Sequence, residues 1–458
     1  MNVYGINVEI KNVPVLHADY VPMGAFNKAF LKTATKDVAI AVERNDGLLY
    51  VYKTKIHGTE AMADADNFYV ERMVKFLLWA VGGFRVTIYG DENVAAYVKA
   101  AYCKGGAREF DAEKMGMVFE HEFEVLSGDF CDAPETIEAP KSIGGHTEGC
   151  RIGFDAGGSD RKVSAVIDGE VVYSEEVVWN PKITSDPMYH FDGIVTAMKT
   201  AASKMPRVDA VGISSAGIYI NNKTRLASLF VAVSPEDFDK HVKNIYENAV
   251  KELGENIPFE VANDGDVTAI AGAAELNDNS VLGIAMGTSE AVGYVDSEGH
   301  IKGWLNELAF APVDALSTSA DPWSGDLGVG ATYFSQDSVA RLAPAAGITL
   351  AEDLTPAQKL KEVQKLSEAG AENALQIFDS IGCYLGHTLA YYSTIYDIKN
   401  LLLLGRVMSG KGGDRIVARC RQVLADEYPE LQINIALPDE KNRRVGQSVA
   451  AASLPQIG

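Results

Sequence analysis

The chain has 458 residues, too many for one packed core and enough for two or three domains of ordinary size. Hydrophobic residues make up 47% and charged residues 23%, with 42 glycines and 16 prolines, which excludes a disordered, collagen-like or coiled-coil chain. Acidic residues outnumber basic ones by 63 to 41, a net charge of -22 that opposes nonspecific binding to nucleic acid or anionic lipid, although local loops can still hold an anion.

No apolar run approaches the ~18 residues that span a bilayer. The opening Met1-Asn2-Val3-Tyr4-Gly5 has neither a basic n-region nor an apolar core, so no signal peptide is predicted. Cys103, Cys131, Cys150, Cys383 and Cys420 lack CxxC or metal spacing, and an odd, unpatterned set suits a reducing cytosol. The expectation is a cytoplasmic enzyme.

In chain order, VAIAVERNDGLLYVYKTKI carries two alternating runs around Asn45-Asp46-Gly47, which predicts a β-hairpin. YVERMVKFLLWAVGG has helical spacing, RVTIYG reads as a strand and ENVAAYVKAAY as a helix, so 38–125 is expected to form a small α/β unit. It carries no nucleotide loop or metal cluster, and packing or oligomerisation is its expected role. The stretch DAPETIEAPKSIGGHTEG is rich in Pro, Gly, Ser and Thr without apolar periodicity, which predicts an N-terminal domain over 1–131 and a linker over 132–150.

Beyond it, RIGFDAGGSDRKVSAVIDGEVV reads as strand, tight glycine turn, strand. A helix (FDGIVTAMKTAASKM), a buried strand (VDAVGIS), a helix (PEDFDKHVKNIYENAVKEL), the short strand FEVAND and an Ala-rich helix follow. VLGIAMGTSEAVGYV restarts the pattern, and a long helical region is expected from about Pro356 to Tyr396 before the strand NLLLLG and the helix DRIVARCRQVLADEY. Two successive blocks, each opening on a hairpin with a small-residue turn, make a coarse internal repeat.

Three elements carry chemistry. In Asp155-Ala156-Gly157-Gly158-Ser159 the glycines admit a phosphate close to backbone N–H groups, and an Asp beside such a turn suits the water shell of Mg²⁺; a plain Gly-Gly hairpin is the alternative. Gly287-Thr288-Ser289 repeats a hydroxyl-bearing turn at the matching place of the second block. Asn263-Asp264 ends a strand just before a helix, where it reads either as an N-cap or as a carboxylate at the sheet edge that takes a proton during phosphoryl transfer.

From about Arg151 onward, over roughly two thirds of the chain, these elements occur in an order that resembles the ROK family, which includes sugar kinases and sugar-responsive repressors within the actin/hexokinase/Hsp70-like superfamily. GFDAGGS resembles its first phosphate loop, VANDGD its catalytic segment, GIAMGTSEAVG its second phosphate loop and LLLLGRVMSGKGG its adenosine-side turn. The resemblance implies an α/β fold of duplicated actin-like, ribonuclease H-like domains flanking a nucleotide cleft, plus the small N-terminal α/β domain. The first lobe would span 151–265 with a C-terminal helix at about 441–458, and the second lobe 266–440.

The implied activity is an ATP-dependent sugar kinase. Asp264 would be the catalytic base and Asn263 a sugar ligand. Asp155, Gly157, Gly158 and Ser159 would form the first phosphate loop, with Asp155 holding Mg²⁺ through water. Gly287 and Thr288 would form the second loop, with Gly405 beside the adenosine. Glu307, in the segment resembling GE(I/L)GH, would bind a sugar hydroxyl; without the resemblance it reads as a solvated loop glutamate. The implied partners are a sugar and ATP, with no nucleic acid and no membrane, and a homodimer is admitted.

Four departures stand out. Phe310 replaces the family's histidine and is expected to wall the pocket for a sugar with a deoxy or N-acetyl group. STSADPWSGDLGVGATYFSQ replaces the cysteine-rich zinc motif, so no structural zinc is expected. Ala216-Gly217 replaces Pro-Gly, and Arg406 the second adenosine-side glycine. The alternatives are a sugar-responsive regulator, which needs a basic DNA-reading helical module where strand signals dominate here, and a catalytically silent sensor, against which Asp264 and both loops stand.

Overall fold

The computed structural model describes residues 1–138, 143–437 and 443–457. Residues 139–142 of the expected linker, 438–440 of the expected second lobe, and 441, 442 and 458 of the expected C-terminal helix lie outside them.

A strand pair, β1 (Asn2–Val3) and β2 (Ile6–Asn7), precedes helix α1 (Met23–Leu31). The expected hairpin forms from β3 (Lys36–Glu43) and β4 (Leu49–Ile56); its turn holds Asp46 at φ 61° and Gly47 at φ 72°, which an Asn-Asp-Gly sequence tolerates. Helix α2 (Ala63–Ala80), β5 (Arg85–Tyr89), α3 (Glu92–Ala101), α4 (Glu109–Phe119) and β6 (Glu124–Gly128) complete a four-stranded sheet ordered β4-β3-β5-β6. Part of the predicted linker is pinned to this sheet: Ile137 bridges to Leu49, and the Thr136 hydroxyl accepts from the Val51 N–H at 3.0 Å.

The first block builds β7 (Cys150–Ala156), β8 (Asp160–Ile167), β9 (Glu170–Val178), α5 (Pro187–Ala202), β10 (Ala210–Ser215) and a small hairpin of β11 (Ile218–Ile220) and β12 (Lys223–Leu226). The single helix expected next is instead α6 (Pro235–Asp237), a π turn over 238–242 closed by the Lys243 N–H on the Phe238 carbonyl, and α7 (Ile245–Lys251). Then come β13 (Phe259–Asn263) and α8 (Asp264–Leu276), and the sheet is ordered β13-β10-β7-β8-β9 with its first three strands parallel.

The second block repeats the plan with β14 (Val281–Met286), β15 (Glu290–Val295), α9 (Gln336–Leu342), α10 (Pro356–Glu368), α11 (Glu372–Tyr392), β16 (Asn400–Leu404), α12 (Gly410–Glu427) and β17 (Asn434–Ala436). Its sheet is ordered β15-β14-β16-β17, again a hairpin beside parallel strands. The long helical region splits at Gly370, whose φ of 83° ends α10 as a left-handed cap.

Helix α13 (Arg443–Ala452) returns to the first sheet and packs on α8 between the two sheets. Glycines permit this. A Cβ on Gly153 or Gly212 would lie 1.7 Å from the Ser448 carbonyl or 1.6 Å from that of Ala451. Of the three cores, one serves the first sheet, one lies around α8 and α13, and the largest runs without a break from the N-terminal sheet and α2 into α11 and α12. Phe76 of α2 lies 4.3 Å, ring to ring, from Tyr391 of α11.

Candidate active site

Strand register brings the predicted residues of the first block to one sheet edge. Asp155 on β7 lies opposite Ser214 on β10, and Ser215 lies opposite Asn263 on β13. Asp155 is buried and accepts from the Ser214 hydroxyl at 2.8 Å, and burial pushes its pKa up. The Gly157-Gly158-Ser159 turn that follows is fixed from behind: the Trp179 indole donates to the Gly157 carbonyl at 2.8 Å and the Trp179 N–H to the Ser159 carbonyl at 3.1 Å. Lys162 lies 3.1 Å from Asp160 and 3.7 Å from Asp155.

Asn263 caps α8. Its side-chain oxygen accepts from the Gly265 N–H at 2.7 Å, and its amide donates to the Gly217 carbonyl at 2.8 Å. Both ends of that side chain thus have protein partners. Asp264, the first residue of the helix, keeps some contact with solvent although protein surrounds it. Burial, then the charge of Asp155, raises its pKa to about 6. The helix start is set by close packing, because a Cβ on Gly293 of β15 would lie 2.0 Å from the Gly265 carbonyl.

Glu307, in the loop after β15, is held against the N-terminal part of the chain. The Asn306 and Glu307 N–H groups donate to the carbonyls of Ala80 and Trp79 at the end of α2, each at 2.9 Å. Asn306, at φ 53°, donates from its amide to Asp266 at 2.8 Å and accepts from the Tyr396 hydroxyl at 2.9 Å. The Glu307 carboxyl is raised to about 7 by burial, then by the charges of Asp264 and Asp266. Phe310 corrects an expectation: it packs with Trp79, Phe110 and Trp323, at 4.3, 6.1 and 5.1 Å between rings, in an aromatic cluster that joins this loop to the N-terminal domain.

Two acids of the site escaped the sequence reading. Burial raises Asp266 to about 7, although it accepts from the Tyr294 N–H and the Asn306 amide. Glu290, 4% exposed, has both carboxyl oxygens without a hydrogen-bond partner among the described residues, and burial with the charge of Glu307 raises it to about 8. Its signal was a glutamate directly after a turn of small residues.

On the second sheet the Gly287 N–H closes the Gly287-Thr288-Ser289 turn on the Ser289 carbonyl at 3.0 Å, leaving Thr288 exposed. Gly405 follows β16 at φ 95°, where a Cβ would lie 2.3 Å from the Met286 carbonyl. It also borders a large cleft of about 1290 Å³ lined by Lys162, Thr268 and Gln447. Gln447 of α13 donates to the Asp264 carbonyl at 3.1 Å, which ties this helix to the site. A smaller cavity of about 400 Å³ is walled by Gly217, Asn263, Asp266 and Trp304 on one side and by Asn45 and Phe119 of the N-terminal part on the other.

No family model and no curated protein matches the sequence. Among solved structures, a ROK hexokinase from Thermus thermophilus superposes with a TM-score of 0.50 at 17% identity, over 66% of this chain and 96% of that one. The chain has the ROK-type fold. Also similar are a ROK glucokinase from Streptomyces griseus in complex with glucose and AMPPNP, at a TM-score of 0.48 and 20% identity over 68% of this chain and 100% of that one, and a ROK transcriptional regulator homologous to the E. coli MLC protein, at 0.46 and 16% over 66% and 76%. The superposition on the hexokinase leaves about a third of the chain outside the ROK-type fold. No helix among the described residues is long and apolar enough to cross a membrane.

Proposed function

We propose that the protein is an ATP-dependent carbohydrate kinase that moves the γ-phosphoryl group of ATP to a sugar hydroxyl, with Asp264 as general base. One observation carries this reading. A carboxyl raised to about 6 sits at a parallel-sheet edge, with the charge of the Asp155 loop bearing on it, and its own charge in turn bears on Glu307. At neutral pH such a group is ionised yet basic enough to accept a hydroxyl proton. The remaining work is alignment and charge stabilisation, which two small-residue turns at strand ends suit.

The donor side is the Asp155–Ser159 and Gly287–Ser289 turns with Gly405 beyond them, and the acceptor side is the region of Glu307 and the smaller cavity. Asp155 is a hard oxygen donor at the phosphate turn, one oxygen of which is taken by Ser214; this suits Mg²⁺, which keeps most of its waters. With nucleotide bound, that ion would neutralise charge on the phosphate oxygens. Asn263, Ala216 and Gly217 would shape the acceptor pocket through backbone and cap geometry, and Glu307 would accept hydroxyl hydrogen bonds. ADP release measured over hexoses, amino sugars and N-acetylated sugars tests the reading. Sugar-dependent release is expected, and ATP-saturated protein that no sugar stimulates would overturn it.

A further inference from the structure

The segment after β9 is built to hold one lysine. Trp179 is buried against the first phosphate turn through the two hydrogen bonds described above. Residues 181–183 form a single 3₁₀ turn whose Pro181 is buried. The Pro181 carbonyl lies 3.0 Å from His190 Nε2, the Thr184 hydroxyl donates to the Asn180 carbonyl at 2.7 Å, and the Asn180 N–H donates to the Tyr189 hydroxyl at 3.0 Å. So many partners on an irregular turn fix its backbone. Lys182, exposed like its neighbour Ile183, points back over the phosphate loop: a Cβ on Gly158 would lie 2.9 Å from Lys182 Cε and 3.2 Å from Nζ.

Lys162, the other cation at this loop, faces Asp155 and Asp160. Among the described residues no carboxylate lies within ion-pair distance of Lys182, yet its charge bears on Asp264. An exposed ammonium carried on a fixed backbone over a glycine turn, with its charge bearing on the candidate base, is placed for an anion that arrives with the substrate.

Resting on the kinase reading, we propose that Lys182 is a catalytic residue that contacts the transferring γ-phosphoryl group. During transfer the bond from the γ-phosphorus to the β–γ bridging oxygen breaks and its electron pair leaves on ADP. A bond from the acceptor oxygen forms, and Asp264 takes the hydroxyl proton and later releases it to water. Lys182 gains or loses no proton; it offsets the charge spread over the equatorial oxygens, which is greatest in the transition state. Glycine at 158 leaves the space through which the ammonium reaches those oxygens.

The test compares wild type, Lys182→Met and Lys182→Arg. Turnover is followed by ADP release with the best sugar from the panel above, and AMPPNP and ADP binding by calorimetry. Lys182→Met should lower kcat by ~10²-fold or more while the sugar KM moves less than about threefold. Its preference for AMPPNP over ADP should also fall by about tenfold, because only the first carries a γ-phosphoryl group. Lys182→Arg should recover part of both, and all three proteins should melt alike because the side chain is exposed. An active wild type matched by Lys182→Met in kcat and in AMPPNP preference would overturn the role of Lys182 alone. Wild type that binds AMPPNP without any sugar-dependent turnover, or fails to bind it, would overturn the kinase reading and this role with it.

Discussion

Glu290 is a buried acid beside another acid, with no hydrogen-bond partner on either oxygen among the described residues. Its folded pKa of about 8 lies above the ~4.3 of an unfolded glutamate. Between those values the folded chain binds more protons than the unfolded one, so this group's contribution to stability falls as pH rises toward 8. Glu290→Gln mimics the protonated acid and should therefore raise Tm by a few degrees at pH ~8.5 and by much less at pH ~5.5. Equal shifts at both values would show that Glu290 is not held neutral. The same reasoning for Asp264 sets an acid limb on kcat/KM, rising about tenfold per pH unit up to about pH 6 and flat above it. The sequence could not show these values, since they arise where strands distant in the chain meet.

At the scale of elements, the hairpins, parallel strands and internal repeat were legible because apolar period and turn chemistry agree in each. The break between α10 and α11 was hidden in a continuous helical pattern until Gly370 adopted a left-handed φ, and the π turn at 238–242 had no sequence signal at all. Asp155, Asp264 and Glu307 were singled out by order and context, and the fold brings the charge of Asp155 to bear on Asp264 and that of Asp264 on Glu307. The role of Asn263 as a doubly engaged cap was half visible, and that of Phe310 was misread because its aromatic partners lie in the N-terminal domain. Close packing of the α8 start on Gly293 gives a test of how finely Asp264 is placed. Gly293→Ala drives its methyl into the Gly265 backbone, so the start of α8 must shift; it should lower Tm by several degrees and lower the turnover of the folded fraction by ~10-fold or more, since small displacements of a reacting group carry large rate penalties. Gly446→Ala in α13, where nothing lies within 4 Å of the new methyl, should be neutral or slightly stabilising.

For the whole molecule, the N-terminal 131 residues are joined to the rest by more than contact between surfaces. They share the largest core with α11 and α12, and the Glu307 backbone hangs from the end of α2. A buried ion network adds to this joint: Lys75 and Arg108 pair with Asp326, in the segment standing where the ROK family's zinc motif would be, at 3.0 and 2.5 Å, and Lys75 also binds Asp111 at 2.8 Å. Removing one partner of a buried pair leaves an uncompensated charge, so Lys75→Met should cost about 3–5 kcal/mol, read as a lower denaturation midpoint. A chain starting near residue 132 should fail to give soluble, folded protein, and a stable truncated form would show that the shared core is dispensable.

The proposed function turns on Asp264 acting as the base of a phosphoryl transfer to a sugar. Single-turnover transfer from ATP to the best sugar, compared between wild type and Asp264→Asn at matched saturation, tests it most directly. Nucleotide binding and melting temperature should be unchanged and the rate ~10²–10⁴-fold lower in the variant. A variant that transfers phosphate at near the wild-type rate, or that loses only about 1 kcal/mol of stability as a helix-terminus residue would, contradicts that role.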